Sequence, residues 1–528
     1  MKLRSSAIWL VLAALALVAA ACDNGEPGNT TEGTGQSPQT TEQVTDGTAG
    51  EVTTTTTTTP PSEVRSDLSV RSVFEPTDFN YVENATAVIR EILVYNVIEP
   101  LLEGFEDGTF EPLLADSYEV SDDGREYEFT VRDAVFHDGR PVTADDVIYS
   151  LELNRSSPLG AVSGPLAPVE SIEKVDEDTV KVNLSVPSQR FLSSIAGHSG
   201  LVIPQDSGDD LGTAPVGTGP FTFGEWQAGV DLTLERFGDY WGDAPALERV
   251  TWAFIPDETA AFNALLSGDI DAIGQVAGDG LERLDSIDEE GFRVVSVPAP
   301  GIRFAVLNGG DERFADERIR QAIGHAIDRE PIIDGAVSGF GEATCVFANP
   351  PNVLWSSDYC PYPYEPDRAR ELLAEASAEG LSLEITGLTI GTFPLTTEVL
   401  AAQLADVGFS IDVRPVDPPT WLEDVPGGNY EFTHIGGSEP FDAFVCPGSF
   451  AHDCVEEVDR LLTEADAAVD TQEWADLRRE AIELHAERGY VIPLYTFPTL
   501  SVLPEGLVGE KDYSHAVEFD LRDLRWEG

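Results

Sequence analysis

Two places in the chain carry side chains that could do acid–base or metal chemistry. The first is Phe136-His137-Asp138-Gly139-Arg140-Pro141-Val142-Thr143-Ala144-Asp145-Asp146-Val147, a histidine beside an aspartate with two more aspartates close behind. The second is Cys446, His452 and Cys454. A structural zinc site needs four donors and usually closely paired cysteines, and neither accompanies the second group. The chain has no G-x-S-x-G elbow, no H-E-x-x-H helix and no Cys/His nucleophile pair. Carboxylates are plentiful, but none stands out as a glycosidase pair. The expectation is a protein that is not an enzyme and that needs neither metal nor cofactor.

The elements around the first stretch account for its acids. Tyr127, Phe129 and Val131 alternate with Glu128 and Thr130, the period of a half-buried strand. Asp122-Asp123-Gly124 and Asp138-Gly139 are turn signals on either side of it. Thr143 with Asp146 three places on is a capping-box pair. Asp145 and Asp146 fall in the first helical turn, where negative charge suits the helix dipole. His137 reads as a turn residue with no partner in reach.

Further along, Ile319, Ala322, Ile323, Ala326 and Ile327 share one helical face. Residues 260–266 read as a helix closed by Gly268, and 270–273 as a strand. Strands are expected at 383–388 and 411–413, with a helix at 398–407 stopped by Gly408 between them. Late helices are expected at 455–462 and 474–488. Helices alternating with strands predict an α/β body with mostly parallel pairing.

The bulk numbers fit a large secreted body. A chain of 528 residues that is 42% hydrophobic can fill two or three lobes. Lys2 and Arg4, the apolar run from Ile8 and the small residues before Cys22 read as a secretory signal, too short for a comfortable span. Cys22 at the cut resembles a lipobox cysteine, with Ala19 where leucine is usual. Residues 23–63 are rich in Thr, Gly, Pro and acids, with an unbroken Thr53–Thr59 run, and cannot fill a core. A tether of roughly 40 such residues spans about 35 Å. The four remaining cysteines favour disulfides outside the cytoplasm. Three pairings are possible, and proximity suggests Cys345–Cys360 and Cys446–Cys454.

The formal charge is −64. This excludes nucleic acid and anionic lipid surfaces as partners by repulsion. The acids are spread along the body, which reads as a solvated, salt-tolerant surface.

The stretch Leu114-Ala115-Asp116-Ser117-Tyr118 through Thr143-Ala144-Asp145-Asp146-Val147 resembles the signature of family 5 extracellular solute-binding proteins, the peptide receptors of ABC importers. The resemblance continues in "VGTGPFTFGEWQAGVDLTLERFGDYWG", in "IPDETAAFNALLSGDIDAIG", in "VLNGGDERFADERIRQAIGHAIDREPII", and in "YEPDRARELLAEA" and "YVIPLYTF". It covers about residues 68–497. It implies a two-lobed, type II periplasmic-binding-protein-like α/β fold of the large, three-subdomain kind. Lobe I is then expected from 64–96, 213–298 and 490–528, an extra subdomain from 97–212, and lobe II from 299–489.

The resemblance also implies a function and a site. The protein would be an extracytoplasmic, membrane-anchored monomer that captures an extended solute between its lobes and hands it to a permease. An oligopeptide is the first expectation; an oligosaccharide, a nickel chelate or haem, or a sensor role, are the alternatives. Matching the family's cleft segments makes Gly301, Arg303, Phe304, Trp421, Tyr495 and Phe497 candidates, each with a plain core reading beside it. Arg303 stands in an apolar strand and needs either a ligand carboxylate or a nearby acid. Peptide binders of the family place an acid for the ligand's amino group near Ile435-Gly436-Gly437-Ser438-Glu439-Pro440-Phe441-Asp442. Here Glu439 or Asp442 could serve, or neither. A nickel or haem ligand would favour a cleft histidine, for which His198 is the candidate.

Overall fold

The computed structural model describes residues 65–527 except 85, 106–107, 277, 298–300, 349–353, 356–358, 439–448, 450 and 512–517. Three sheets organise it. A seven-stranded sheet runs, edge to edge, through Phe292–Val297, Thr499–Pro504, Ala272–Ile273, Asp67–Ser72, Arg249–Phe254, Asp231–Arg236 and Phe221–Gln227. A six-stranded sheet runs through Glu342–Ala343, Val491–Thr496, Gly301–Leu307, Phe432–Ser438, Ser382–Leu388 and Ser410–Val416. A four-stranded antiparallel sheet, running through Ala115–Val120, Glu126–Val131, Thr179–Leu184 and Val169–Lys174, makes a separate unit with its own core around Phe129, Phe136 and Phe191.

The α/β class is as expected, but the pairing is not mostly parallel. Parallel contacts join Asp67–Ser72 to two neighbours and Ser382–Leu388 to two neighbours. The other pairs in both large sheets are antiparallel, because hairpins and the strands flanking the two crossings, Phe292–Val297 with Thr499–Pro504 in one sheet and Gly301–Leu307 with Val491–Thr496 in the other, build much of them. Val491–Thr496 belongs to the six-stranded sheet, so the chain changes sheet after Thr496 and not at residue 490. An apolar run such as Val491-Ile492-Pro493-Leu494 shows burial without showing in which sheet.

Local signals are obeyed. The Glu258–Ser267 helix ends at Gly268 with φ 78°, and the Phe393–Val407 helix at Gly408 with φ 115°. Both use the left-handed C-terminal cap that glycine adopts without a steric penalty. The Ala144–Arg155 helix has its capping box of Thr143 and Asp146.

His137, however, has partners from afar. Its Nε2 lies 2.9 Å from the Gly219 carbonyl, and its Nδ1 accepts from the Gly217 N–H at 3.3 Å. Burial pushes its pKa down to about 4. The histidine thus stitches its turn to the Gly217-Thr218-Gly219 loop. That loop needs glycine: a Cβ on Gly217 would stand 2.0 Å from the Val97 carbonyl oxygen.

The same loop is anchored by Glu99, which is fully buried. Its carboxylate accepts from Thr218 Oγ1 at 2.7 Å, Tyr240 Oη at 2.8 Å and Trp241 Nε1 at 2.8 Å. Burial pushes its pKa up to about 7. The conspicuous motifs of the first half therefore meet one another and hold the fold.

Cys345 and Cys360 are bridged, with Cα atoms 5.0 Å apart. Cys454 is also disulfide-bonded; Cys446 lies outside the described residues. Closing a loop of 15 residues restricts the unfolded chain by about 3 kcal/mol. Replacing Cys345 and Cys360 together by alanine is expected to lower the denaturation midpoint accordingly; an unchanged midpoint would show that the loop is held by other means.

Candidate ligand cleft

Strand direction locates the site. In the six-stranded sheet, Leu388, Val416, Ser438 and Thr496 end their strands at the edge where Gly301 begins its own. In the seven-stranded sheet, Ser72, Phe254, Ile273 and Val297 end at the edge where Thr499 begins. Among the described strands the chain passes between the two sheets twice, through 298–300 and through Phe497-Pro498. Those crossings join the two edges, so the edges face each other. Ligands of open α/β sheets bind outside the carboxyl ends of strands, and here two such edges form one cleft.

Arg71 secures the seven-stranded side. Its fully buried guanidinium donates to the Ile255 and Gln275 carbonyls at 2.8 and 2.7 Å and pairs with Glu258 at 2.8 Å. Two strand-end loops, those after Phe254 and after Ile273, are tied to one side chain.

The six-stranded side centres on Arg303, only 7% exposed. Its Cζ sits 3.8 Å over the Phe393 ring and 5.7 Å from that of Phe497. Nε lies 3.4 Å from Tyr495 Oη and Nη2 3.3 Å from Thr392 Oγ1. Nη1 is buried without a hydrogen-bond partner. Gly301 lets Phe497 close in, since a Cβ there would come within 2.5 Å of the ring. Phe497 N–H also donates to the Gly301 carbonyl at 3.0 Å.

Gly301, Arg303, Tyr495 and Phe497 are thus brought together at the cleft edge. Phe304 is not with them. Alternation turns it to the opposite face, where it packs at 5.9 Å from the Phe347 ring. Trp421 is fully buried and donates to Thr433 Oγ1 at 3.0 Å, a core position beneath the sheet. Glu439 and Asp442 lie outside the described residues. His198 bonds the Tyr81 carbonyl at 3.0 Å, and burial holds its pKa down at about 3, a structural role.

Two contributors were not singled out in the sequence, Thr392 and Phe393. The Pro394 that follows them is a helix-start signal, and it stands just past the Ser382–Leu388 strand. A helix beginning beyond a strand's carboxyl end was the available clue. On the other face of Phe393 lies His434, with ring centroids 5.4 Å apart. Its Nε2 is 2.8 Å from Thr397 Oγ1. Burial, reinforced by the Arg303 charge, pushes its pKa down to about 3, so it stays neutral.

The family model for bacterial extracellular solute-binding proteins, family 5 (middle region), matches residues 109–443. A protein of Brucella ovis named as an ABC transporter peptide-binding protein is 33% identical over 324 residues, 58% of this chain and 60% of its own length. The chain therefore spans about three-fifths of the length of the first curated relatives it matches. Heme-binding protein A of Haemophilus influenzae is 28% identical over 411 residues, covering 71% of this chain and 69% of its own. The solved structure of AgaA from A. tumefaciens R10, in complex with agropinic acid, superposes with a TM-score of 0.70 at 25% identity, over 88% of this chain and 99% of that one.

Proposed function

The chain belongs to the family 5 bacterial extracellular solute-binding proteins, and from that premise we propose that it captures an extended, peptide-like solute for an ABC importer. The observation that carries the reading is the facing pair of strand-end edges joined by two adjacent crossings. Such a connection permits hinge closure of one lobe on the other around a ligand. The seven-stranded sheet and its helices are lobe I, the four-stranded unit is the extra subdomain, and the six-stranded sheet is lobe II. The protein performs no reaction on its ligand and releases it to a membrane permease.

A short peptide is favoured because Gly436 to Ser438 pair with Gly301 to Arg303 on one side and, among the described strands, with none on the other, an edge on which an extended backbone could pair with aromatic rings near by. The relatives' named ligands, which include peptides, haem and agropinic acid, are all small solutes. Purification without denaturant, followed by denaturation and mass spectrometry of what is released, tests this. Short peptides or peptide-like conjugates are expected; an empty protein that gives no thermal shift with any peptide would overturn it.

The lipid anchor is part of the same reading. Cys22 would carry it, and residues 23–63 would let the body reach the permease. Cys22→Ser is expected to move the protein from the membrane fraction to the medium, or to the soluble periplasm. Retention in the membrane fraction would remove the anchor from the account.

A further inference from the structure

We propose that the turn at Ala468-Val469-Asp470 of lobe II and the hairpin tip at Asp122-Asp123-Gly124 of the extra subdomain form a latch that holds the cleft shut, so that the extra subdomain sets the affinity for solute without touching it. The proposal rests on the reading of capture by closure and adds to it the place where the closed state is held.

The contact starts from a glycine. Gly124 turns the hairpin between Ala115–Val120 and Glu126–Val131 with φ 66°. It is buried, and part of what covers it comes from lobe II. A Cβ on Gly124 would stand 2.9 Å from Val469 Cγ2 and 3.3 Å from Pro187 Cβ. Val469 lies in the turn between the Glu456–Asp466 and Thr471–Arg488 helices. A second approach lies beside it, where a Cβ on Gly108 would be 3.5 Å from Thr471 Cγ2. Lobes joined through 298–300 and Phe497-Pro498 thus meet again at a point that neither crossing carries.

The direction of the Thr471–Arg488 helix places this contact across the cleft gap. The helix packs against the Val491–Thr496 strand that follows it and runs back along it. Its C-terminal end turns into the strand's start at Gly489, φ 70°. Its first residue therefore lies toward the strand's carboxyl end, which is the cleft edge. Its 18 residues rise about 27 Å, and the 6 residues of the strand rise about 20 Å. The turn at Val469 consequently overreaches the edge toward lobe I. Swinging lobe II open about its crossings widens the gap and draws Val469 away from Gly124.

The contact is also built to separate. Beside it, Phe110, Tyr118 and Leu192 of the extra subdomain face Ala468 and Val469 across a cavity of about 650 Å³. A domain core is packed without such voids, and a contact this thin leaves two domains free to move. Val120 and Val469 remain 38% and 45% exposed there. Apolar surface is covered on closing and returned to water on opening, a driving force that is reversible. Both turns carry acids, Asp122 and Asp123 on one and Asp470 on the other. A carboxylate introduced at 469 removes the apolar contact and adds repulsion to it.

The test uses the full chain with Val469→Asp and Val469→Ala, neither of which alters a strand-end residue of the cleft. Binding of a mixed tripeptide pool is read by calorimetry and by stopped-flow release, and the radius of gyration of each solute-free protein by X-ray scattering. Apparent affinity falls by the factor by which the closed population falls. Val469→Asp is expected to bind the pool roughly tenfold more weakly than wild type, and Val469→Ala roughly threefold, with the loss in the release rate. The solute-free Val469→Asp protein is expected to have the larger radius. An unchanged melting temperature separates these effects from misfolding; if Val469→Asp does not fold, Val469→Ala carries the test.

Wild-type affinity and release in both variants would overturn the latch and leave closure standing. Tighter binding by the variants would overturn it too, because the contact would then belong to the open state. A wild-type radius unchanged on saturation with the pool would remove closure, and the latch with it. If wild type binds no peptide of the pool, the peptide reading fails and the solute-free radii decide: a larger radius for Val469→Asp supports the latch, and equal radii overturn it.

Discussion

The Glu99→Ala protein is expected to lose roughly 4 kcal/mol of stability, a large share of what holds a typical domain together. Glu99 is fully buried and accepts from three donors carried by two separate segments, Thr218, Tyr240 and Trp241. Alanine leaves all three donors in a dry environment without an acceptor, and each orphaned group costs about 1–3 kcal/mol. The damage would spread, because the Thr218 loop is also pinned through Gly217 and Gly219 by His137. Glu99→Gln keeps one acceptor but turns an NH2 toward donors, so it is expected to cost less, about 2 kcal/mol. Denaturant midpoints of the two variants measure this. A loss below about 1 kcal/mol for Glu99→Ala would mean that the three donors find other acceptors, and that the motifs are not held through this carboxylate.

The second large effect is on acid stability. His137, His198 and His434 have pKa values pushed down to about 4, 3 and 3 by burial. Unfolded histidine takes up its proton near 6.5. Below that pH the unfolded chain binds protons that the native protein refuses, so stability falls as pH falls. Glu91 and Glu99 act oppositely. Burial raises both to about 7, so the native state holds protons that the unfolded chain has released. Their stabilisation is complete below about 4.5 and is lost as pH rises through 7. Between about pH 4.5 and 6.5 the two glutamates offset two of the three histidines, so stability still falls by about 1.4 kcal/mol per unit as pH falls.

Below 4.5 the glutamates are protonated in both states, and the histidines act alone. Each contributes about 1.4 kcal/mol per pH unit, so the acid limb approaches about 4 kcal/mol per unit before His137 takes up its proton. Asp311 beside Arg313 and Asp316 beside Arg318, held below the usual carboxylate range by those partners, add to the loss. The His434→Asn variant is expected to have an acid limb shallower by about 1.4 kcal/mol per unit. Relief of carboxylate repulsion is common to both proteins and drops out of the comparison. Identical limbs would show that His434 is not kept neutral in the folded state.

Much of the local structure was legible because it is written in nearest-neighbour chemistry. Gly268 and Gly408 stop helices, Thr143 and Asp146 start one, and Cys345 and Cys360 are close enough in sequence to pair. Pairing direction was not legible, since alternation along one strand carries no information about its neighbour's direction. The sheet to which Val491–Thr496 belongs was hidden for the same reason.

The site was legible in part. Arg303 announced itself as a charge in an apolar strand. The alternation that sets Arg303 and Phe304 on opposite faces was already present in their numbering, and it separates a cleft residue from a core one. Trp421 misled because an aromatic serves a wall and a core equally well, and only burial distinguishes them. Thr392 and Phe393 escaped notice because they act through a helix start, whose position beside Arg303 is a product of the tertiary fold.

The central claim is capture by closure of two lobes across the interlobe edge, and small-angle X-ray scattering tests it most directly. The radius of gyration is measured for the solute-free full chain and again after saturation with the solute recovered from the native protein. The account requires a smaller radius in the saturated sample, returning to the larger value when the solute is dialysed away. Saturation shown by calorimetry with an unchanged radius would contradict closure, and would place the ligand on a surface that the two lobes do not share.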